Sequence, residues 1–515
     1  MYKRQVLDDE PSKEWVREIF AKYKLSNPLR AKRNMDELAR ESTQFLSPHR
    51  CRHFLAAISE SLLCEVSATP DPDATLNTLA SVTEKIGAKG VLWELFQVHP
   101  PTLEMFVRLC ASGDYLAQIL RENPGMIDEL VDALAVDSLP TFQWLMDTMA
   151  DLVTGAEDIA PIIYSFKQSQ HLRVGVRDIV GRDSIQAKHQ TLSNIAQTCL
   201  ATVVDHLYLK MVARYGRPMF QEIEQAKGSE LVILGLGKLG GREPNYHSDL
   251  DVIFLYESDG KTVHAEPERS TTNQHFFGEL ASRISKFITD SGSHGQLYEL
   301  DCRLRPSGKS GVLAVSFDEF SRYFASGQGQ LWERLALAKS RVVYGNREPS
   351  LQVLERVKKA ISSPPWQDEM ASEIYQMRLR MEHDCSDTNI KRGIGGTVDV
   401  EFIVQMLTLK HVGSLETDLP PGTLQAISGL AELGILTMEQ AKTLSESYQL
   451  LRQVESGIRL MNSVARHELP EKELDWKKLA YLLRIEDPDS LAEQIRQARA
   501  TNREMLNEFL NPESL

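Results

Sequence analysis

The sequence predicts an α+β protein, mostly helical, in which a small mixed sheet near the middle of the chain is flanked by helical regions. Through the first two hundred residues, apolar residues recur every three or four positions, as in PTLEMFVRLCASGDYLAQIL, which is the spacing of a buried helix face. From Glu230 onwards, short apolar runs typical of buried strands appear. Helical periodicity returns after about Asp368 and continues to the end.

Three segments in the middle of the chain are predicted strands. They are LVILG from Leu231, LDVIFLY from Leu250, and GQLYELDCRLRP from Gly295, which alternates polar and apolar residues. The segment between the last two, QHFFGELASRISKFITD, repeats apolar residues at helical spacing. A helix that joins neighbouring strands is the connection expected in an α/β or α+β domain.

Length and composition limit the class of protein. A chain of 515 residues exceeds one compact core, so two to four domains are expected. No run of sixteen apolar residues occurs and the first fifteen residues lack the apolar core of a signal peptide, so we expect neither a membrane span nor secretion. Six cysteines stand far apart without a C-x-x-C pair, which favours isolated, buried free thiols in a reducing cytoplasm over a disulfide frame or a zinc site.

The charge balance argues against nucleic acid as a partner. Asp and Glu number 72 against 58 Lys and Arg, which gives a net charge of −14. An acidic surface repels a phosphate backbone unless the basic residues are concentrated in one place.

A pair of carboxylates begins the second predicted strand. Asp249 and Asp251 are two residues apart, so on a strand their side chains point to the same side, roughly 7 Å apart along the backbone. Two carboxylates so placed repel each other unless they share a cation, and oxygen ligands suit Mg²⁺. The pattern D-x-D also occurs at Asp71-Pro72-Asp73 and Asp487-Pro488-Asp489, where we predict turns.

The third predicted strand supplies another carboxylate. Alternation places Asp301, Arg303 and Arg305 on one face, with apolar residues on the other. If this strand lies beside the second, Asp301 completes a site of three aspartates, and the two guanidinium groups are suited to bind phosphate oxygens.

A glycine-rich turn follows the first predicted strand. Gly237, Gly240 and Gly241 surround Lys238, so backbone N–H groups can approach a triphosphate and the lysine can add a positive charge. The turn has no G-K-[ST] and no clean G-x-G-x-x-G, which disfavours a P-loop ATPase and a Rossmann dehydrogenase.

These residues resemble a known family. LGLGKLGGREPNYHSDLDVIF is similar to the signature of the glutamine synthetase adenylyltransferase family, which belongs to the DNA polymerase β-like nucleotidyltransferases. The likeness extends to HLRVGVRDIVG, LDCRLRPSGKSGVLAVSFDEF, LWERLALAKSRVVYG and NIKRGIGGTVDVEFIVQ, in the expected order. It covers nearly the whole chain beyond about residue 75.

The resemblance implies roles for individual residues. Asp249, Asp251 and Asp301 correspond to a catalytic, Mg²⁺-binding triad, with ATP as the nucleotide substrate. The residues implied for nucleotide binding are Gly237, Lys238, Gly240, Gly241, Ser248, Arg303, Arg305 and Lys309. The same motifs suggest that Glu333, Arg334, Lys339 and Arg341 line the nucleotide cleft, and that Asp399 and Glu401 are structural.

The resemblance also implies an organisation and a set of partners. We expect a helical region at 1–150, a polymerase β-like nucleotidyltransferase domain with lead-in helices at 151–365, and a helical bundle at 366–515. Members of the family usually carry two catalytic halves, and this chain holds one signature, so it is either a single-half protein or part of a longer one. Glutamine synthetase is the implied protein substrate, with a PII signal protein and glutamine as implied effectors.

Several functions remain open at this stage. VRLCASGDYLAQIL and LRPSGKSG resemble the C-terminal half, which adenylylates, whereas LWERLALAKSRVV is nearer the half that removes AMP. We favour transfer of AMP to a tyrosine of glutamine synthetase, with phosphorolytic removal as the alternative. A non-catalytic half that binds glutamine synthetase or PII is a second alternative, and an aminoglycoside-type nucleotidyltransferase is a third.

Overall fold

The computed structural model describes residues 12–43, 45–130, 138–222, 225–292, 295–308, 311–413 and 419–511. These residues form a mostly helical α+β protein with small sheets, which confirms the predicted fold class. The chain divides into two compact units, each made of separate segments: Met1–Leu139, Gln168–Lys188 and Gln453–Gln494 in the first, and Pro140–Lys167, His189–Arg452 and Ile495–Leu515 in the second. The three-domain division stays a prediction.

The first unit is helical. Several of its helices begin at a capping residue followed by proline, as at Asn27-Pro28 and Asp71-Pro72, where the cap side chain accepts a backbone N–H of the first turn. The first seven α-helices among the described residues belong to this unit: Lys13–Lys22 (α1), Pro28–Ala39 (α2), Pro48–Ser67 (α3), Pro72–Ile86 (α4), Lys89–Val98 (α5), Pro100–Ala111 (α6) and Asp114–Glu122 (α7).

The second unit contains the sheets. The strands are Arg217–Glu222 (β1), Gln225–Gly228 (β2), Leu231–Gly235 (β3), Leu250–Tyr256 (β4), Lys261–Val263 (β5), Leu300–Asp301 (β6), Ala314–Ser316 (β7) and Arg341–Tyr344 (β8). β2, β1 and β5 form an antiparallel sheet. The other sheet is mixed: β3 pairs antiparallel with β4 and β8, and β4 pairs parallel with β6 and β7.

The other α-helices among the described residues come before, between and after these strands in the sequence. They are Phe142–Val153 (α8), Ala160–Ile179 (α9), Ile185–Tyr215 (α10), the four-residue turn Gly237–Gly240 (α11), Asn273–Thr289 (α12), Phe317–Ala325 (α13), Leu331–Leu337 (α14), Arg347–Ser362 (α15), Glu369–His383 (α16), Thr397–His411 (α17), Thr423–Glu432 (α18), Met438–Met461 (α19), Glu473–Leu483 (α20) and Pro488–Leu510 (α21). α12 is the helix predicted between the second and third strands, and Phe276, Phe277 and Leu280 on its apolar face are buried.

The core of the second unit holds the mixed sheet in place. Every residue of β3 is buried, and Val232 and Leu234 pack in one hydrophobic cluster with residues of α13 to α19 and α21. A fully buried strand reads as a continuous apolar run, which is why LVILG could be recognised from the sequence. β3 and β4 therefore present their ends to the site from a rigid support.

Two expectations from composition can be compared with the structure. All six cysteines are free thiols as predicted, but burial was predicted correctly only for Cys51, Cys110 and Cys199, since Cys64 is exposed and Cys302 and Cys385 are partly exposed. Within the described ranges, no helix combines the length and the apolar character that crossing a membrane requires.

Candidate active site

The start of β4 brings the first two aspartates to the edge of the mixed sheet. Asp249 immediately precedes the strand and is exposed, whereas Asp251 is its second residue and is partly buried. Leu250 and Val252, which alternate with Asp251, are buried in the core. The Leu236 N–H donates to the Asp251 carbonyl oxygen at 2.9 Å, so the chain leaving β3 is fixed to the strand that carries the carboxylates.

β6 brings the third aspartate to the same edge. It pairs parallel with β4 in the register Leu250↔Leu300 and Asp251↔Asp301. Residues directly opposite on neighbouring strands point to the same face, so the Asp251 and Asp301 carboxylates are neighbours. The predicted adjacency of the second and third strands is therefore observed for these two residues.

The predicted length of the third strand is wrong. The strand ends at Asp301, and residues 303–308 form successive turns. Gly308 has a φ of +53° and Ser307 one of +62°, left-handed conformations that an extended strand does not contain. Arg303 and Arg305 consequently do not share a strand face with Asp301.

The three carboxylates repel one another. Burial, followed by the charges of Asp301 and Asp249, raises the pKa of Asp251 to about 6, while the positive charges of Lys391 and Arg303 act in the opposite direction. An aspartate with two like-charged neighbours and incomplete protein compensation is the donor set that a divalent cation neutralises. The residues therefore fit Mg²⁺ in their chemistry.

Arg303 occupies part of this site. Its Nε lies 2.9 Å from Asp301 Oδ1 and 2.8 Å from Oδ2, its Nη2 also contacts Oδ2, and its backbone N–H donates to Oδ1 at 2.8 Å. In this conformation no group of three carboxylate, histidine or cysteine side chains within the described residues is arranged to hold a metal ion. Asp301 would have to release the exposed Arg303 side chain before it could serve as a ligand.

Arg305 binds its own loop. Its guanidinium donates to the backbone carbonyl oxygens of Cys302 at 2.7 Å, Gly311 at 3.0 Å and Val312 at 3.0 Å. These bonds hold the two ends of the loop together, and the phosphate-binding role of Arg305 stays a prediction. Lys309, the third cation predicted for phosphates, lies outside the described residues.

The glycine turn is packed against protein atoms. Gly237 has a φ of +52°, and a Cβ there would lie 2.5 Å from Asp251 Oδ2. A Cβ on Gly240 would collide with the Lys339 carbonyl oxygen, and one on Gly241 would lie 2.5 Å from Lys339 Cε. Gly237 thus adjoins the carboxylates, whereas Gly240 and Gly241 are required by close packing within the protein.

Lys238 points into the interior instead of towards a nucleotide. Its Nζ contacts Glu401 Oε1 and donates to the Tyr448 hydroxyl at 3.2 Å. Lys339 Nζ donates to Glu243 Oε2 at 2.7 Å and lies 3.6 Å from Glu401 Oε2. We call these five residues, Lys238, Glu243, Lys339, Glu401 and Tyr448, the ion cluster. The nucleotide-binding role of Lys238 stays a prediction, and in this structure its side chain is paired within the protein.

The carboxylates of the ion cluster remain ionised. Burial raises their pKa values, but the charges of Lys339 and Lys238 outweigh it and hold the pKa of Glu243 and of Glu401 below the usual value. The Glu243 carboxylate also accepts the backbone N–H of Thr423, the first residue of α18, at 2.6 Å. A negative charge at a helix N-terminus is favourable.

The other charged residues predicted to line the cleft have structural contacts. Glu333 caps α14 together with Gln330, and Arg334 Nη2 donates to the carbonyl oxygens of Ile361 and Pro364 at 2.8 and 2.7 Å. Arg341 donates to Gln197 Oε1 at 2.8 Å and to Ser193 Oγ at 2.9 Å.

Asp399 forms a buried ion pair in the helical region after the sheet. Its Oδ1 lies 2.5 Å from Arg378 Nε, both side chains are fully buried, and its Oδ2 accepts the Gly395 N–H at 3.1 Å. These contacts fix the turn that leads into α17, in agreement with the structural role expected for Asp399.

Two further residues belong to the site or its border. Ser248 Oγ accepts the Asn245 N–H at 2.8 Å, which shapes the turn just before Asp249. Lys391, which had no role from its sequence context, acts on Asp251 through its positive charge. Its carbonyl oxygen accepts the Val398 N–H at 3.1 Å, so its backbone is fixed to the start of α17. The only sequence signal for Lys391 was its place in the motif NIKRGIGG.

Comparison with known protein families gives two matches. Residues 103–356, which include the three aspartates, match the family described as glutamate-ammonia ligase adenylyltransferase. Residues 368–511 match the family described as GlnD PII-uridylyltransferase. The second match begins with α16 and contains Lys391, Asp399, Glu401 and Tyr448.

The chain is also similar to curated proteins named bifunctional glutamine synthetase adenylyltransferase/adenylyl-removing enzyme. The relative from Thioalkalivibrio sulfidiphilus is 29% identical over 89% of this chain and 46% of its own length. The relative from Mannheimia succiniciproducens is 32% identical over 78% and 42%, and that from Rhodopseudomonas palustris 28% identical over 87% and 45%. The chain thus spans less than half the length of these relatives. It belongs to the glutamine synthetase adenylyltransferase/adenylyl-removing enzyme family.

Proposed function

We propose that this chain transfers AMP from ATP to a tyrosine hydroxyl of glutamine synthetase, with Asp249, Asp251 and Asp301 as its catalytic and metal-binding residues. The observation that carries the proposal is the register of β4 and β6, which sets Asp251 opposite Asp301 with Asp249 two residues away. Like charges held this close destabilise the folded protein. They are common at active sites, where a bound ligand or metal ion offsets their repulsion.

The three aspartates would hold Mg²⁺. When bound, the ion would lower the pKa of the attacking hydroxyl and neutralise charge on the phosphates. Asp301, once released from Arg303, accepts the hydroxyl proton at a carboxylate oxygen. The tyrosine oxygen then forms a bond to the α-phosphorus, and the bond to pyrophosphate breaks, so that pyrophosphate leaves with the electron pair.

Nucleotide contacts are proposed for the residues around the triad. The backbone of the Gly237–Gly241 turn adjoins Asp251, and the first N–H groups of a helical turn have no intrahelical acceptor. Ser248, Arg303 and Lys309 complete the proposed set, with Arg303 exchanging Asp301 for a phosphate oxygen. Arg305 holds the loop between Cys302 and Val312 in place, and the Lys238 side chain anchors the Gly237–Gly241 turn to Glu401.

Removal of AMP is the second candidate. The curated relatives are named for both activities, and this chain corresponds to less than half of each. In this reaction the triad would again hold Mg²⁺, a phosphate oxygen would bond to the phosphorus of the adenylylated tyrosine, and the bond from that phosphorus to the tyrosine oxygen would break, giving ADP and free tyrosine. A PII signal protein and glutamine are proposed effectors of either reaction.

Two incubations distinguish the candidates. Unmodified glutamine synthetase is incubated with the purified chain, Mg²⁺ and α-labelled ATP, and adenylylated glutamine synthetase with the chain, Mg²⁺ and phosphate. Transfer predicts label on the protein in the first incubation, and removal predicts ADP in the second. Both products must disappear with Asp251→Asn. If neither forms with the unmutated chain, with or without glutamine, the proposed function is wrong.

A further inference from the structure

The ion cluster joins the glycine turn to the helices that follow the sheet. Lys238 and Glu243 belong to the turn and its exit, and Lys339 lies between α14 and β8. Glu401 is on α17 and Tyr448 on α19, which both fall in the region that matches the uridylyltransferase family. The helical region therefore supplies one of the two carboxylates and the phenol.

The groups of the cluster are largely buried and contact one another. The Tyr448 hydroxyl lies 2.9 Å from Glu243 Oε2 and 3.0 Å from Glu401 Oε1, so it bridges the two carboxylates. Each lysine contacts at least one carboxylate. The buried Arg452 adds a further positive charge beside them, and burial together with that charge lowers the pKa of Lys238 to about 7. Because these groups are removed from water, each contact is stronger than at the surface, and together they define one arrangement.

A short length of chain connects the cluster to the carboxylate site. The Glu243 N–H donates to the Lys238 carbonyl oxygen at 2.8 Å, and the Gly241 N–H to that of Gly237 at 3.1 Å. At the other end of the turn, Asp251 Oδ2 packs so closely against Gly237 that a Cβ on this glycine would lie 2.5 Å from it. A shift of Lys238 or Glu243 would therefore move the backbone that contacts Asp251.

We propose that Glu401 and Tyr448 are positioning residues of the nucleotidyl-transfer site, which act through Lys238 and Glu243 to hold the Gly237–Gly241 turn against Asp251. The proposal rests on the proposed function for its effect on turnover, but its effect on the turn is independent of it. The helical region after residue 368 accordingly helps to set the position of the Gly237–Gly241 turn in the site.

A purely structural role makes a different prediction. Buried ion pairs elsewhere in the chain stabilise the fold without touching the turn. Loss of such a pair lowers stability and leaves the catalytic rate of the folded fraction unchanged. A positioning role lowers that rate in fully folded protein, because small displacements from the productive geometry are costly.

The test uses Tyr448→Phe and Glu401→Gln with matched controls in the first unit. Tyr115→Phe removes a hydroxyl that lies 2.6 Å from His171 Nδ1. Glu455→Gln alters a buried carboxylate that lies 3.2 Å from Arg459 and 3.1 Å from His467. For each full-length variant, kcat and the KM for glutamine synthetase are measured well below the melting temperature, and amide hydrogen exchange is measured in peptides that cover residues 235–243.

We expect Tyr448→Phe and Glu401→Gln to lower kcat about 10- to 100-fold with the KM for glutamine synthetase unchanged, and to speed exchange in the turn by a similar factor. The controls should keep kcat within about twofold and leave exchange in the turn as it was. If exchange in the turn and kcat match those of the controls, the positioning role is wrong. If Glu401→Gln does not fold, Tyr448→Phe decides alone. An unmutated chain without activity would overturn the proposed function, and exchange in the turn would still decide this inference.

Discussion

The ion cluster and the three aspartates are connected by the Gly237–Gly241 turn, and the two groups differ in how their charge is compensated. In the ion cluster, two lysines face two glutamates, and the pKa of each carboxylate is lowered. At the carboxylate site, burial and then two acidic neighbours raise the pKa of Asp251 to about 6, and the charges of Lys391 and Arg303 offset this only in part. The protein neutralises one group itself and leaves the other to be neutralised from outside.

The difference assigns the two groups to different purposes. Compensated buried charges fix an arrangement, because removal of one partner leaves the other buried and unpaired. Uncompensated charges cost stability, and a protein retains them where a ligand supplies the missing charge. The comparison predicts that loss of a charge in the cluster lowers stability as well as activity, whereas loss of an aspartate charge lowers activity without lowering stability.

The largest expected effect is the loss of activity in Asp251→Asn. The variant keeps the shape of the side chain but removes a proposed metal ligand, so nucleotidyl transfer should fall by at least about 10⁴-fold. Its free energy of unfolding should be unchanged or higher, because a repulsive charge has been removed. Both are measured on the same preparation, by the labelled-ATP assay and by urea unfolding.

The control for Asp251→Asn is Asp318→Asn. Asp318 is mostly exposed and lies 3.6 Å from Arg356, so its loss should change neither rate nor stability noticeably. An Asp251→Asn protein that transfers AMP at the unmutated rate would remove the basis for distinguishing the two groups.

The next largest effect is the loss of stability in Glu243→Ala. Glu243 accepts bonds from Lys339, Thr423 and Tyr448, and its removal leaves the buried Lys339 without its nearest partner. We expect a destabilisation of about 3–5 kcal/mol by urea unfolding. Glu446→Ala is the matched control, because Glu446 and Lys442 form an exposed pair at 3.9 Å whose loss should cost less than about 1 kcal/mol. Equal losses in the two variants would contradict the account.

A smaller effect is expected for Lys391→Met. Lys391 brings a positive charge to Asp251 from the turn before α17, and such a charge can also stabilise phosphate groups. Its loss should lower the transfer rate about 10- to 100-fold, with little change in urea unfolding. Lys391→Arg keeps the charge and should retain more activity than Lys391→Met. Identical rates in the two variants would show that the charge does not matter.

The smallest effect concerns stability at acid pH. The pKa values of Glu243 and Glu401 are lower in the folded protein than the ordinary value of 4.5, so the folded state binds fewer protons than the unfolded state at low pH. Their stabilising contribution is complete above pH 4.5 and is lost as the pH falls below it, by at most about 1.4 kcal/mol per pH unit for each group.

Glu401→Gln tests the pH dependence. Urea unfolding between pH 3 and 6 should show a shallower fall in the free energy of unfolding for this variant than for the unmutated chain. Parallel curves for the two proteins would mean that Glu401 keeps an ordinary pKa in the folded state.

The sequence contained most of the information for the carboxylate site, because that site is built from local patterns. Asp249 and Asp251 stand at the start of an apolar strand, and the alternation around Asp301 placed it on an accessible face. The same alternation also misled, since it predicted that the strand continues through Arg303 and Arg305. Pro306 and Gly308 follow directly, and the turns they favour begin at Arg303.

The ion cluster could not be predicted because it depends on distant residues. Lys238 meets a carboxylate 163 residues later in the chain, and no local pattern relates the two. For the same reason, the packing of Gly240 and Gly241 against Lys339 left no signal in the local sequence.

The other two D-x-D sequences show why context decided the first. Asp71 and Asp487 each precede a proline and accept backbone N–H groups at the start of a helix. A turn was predicted at each of these prolines, and in the structure each proline is the first residue of a helix. Neither is followed by an apolar strand, which is the feature that distinguishes Asp249-Leu250-Asp251.

The most direct test of the central claim is the binding of a divalent cation to the three aspartates. Mn²⁺, which takes the same oxygen ligands as Mg²⁺, can be titrated into the full-length chain and followed by electron paramagnetic resonance. We predict saturable binding to the unmutated chain and to Glu401→Gln, and its loss in Asp251→Asn and Asp301→Asn. Equal Mn²⁺ binding by the unmutated chain and the two aspartate variants would contradict the account.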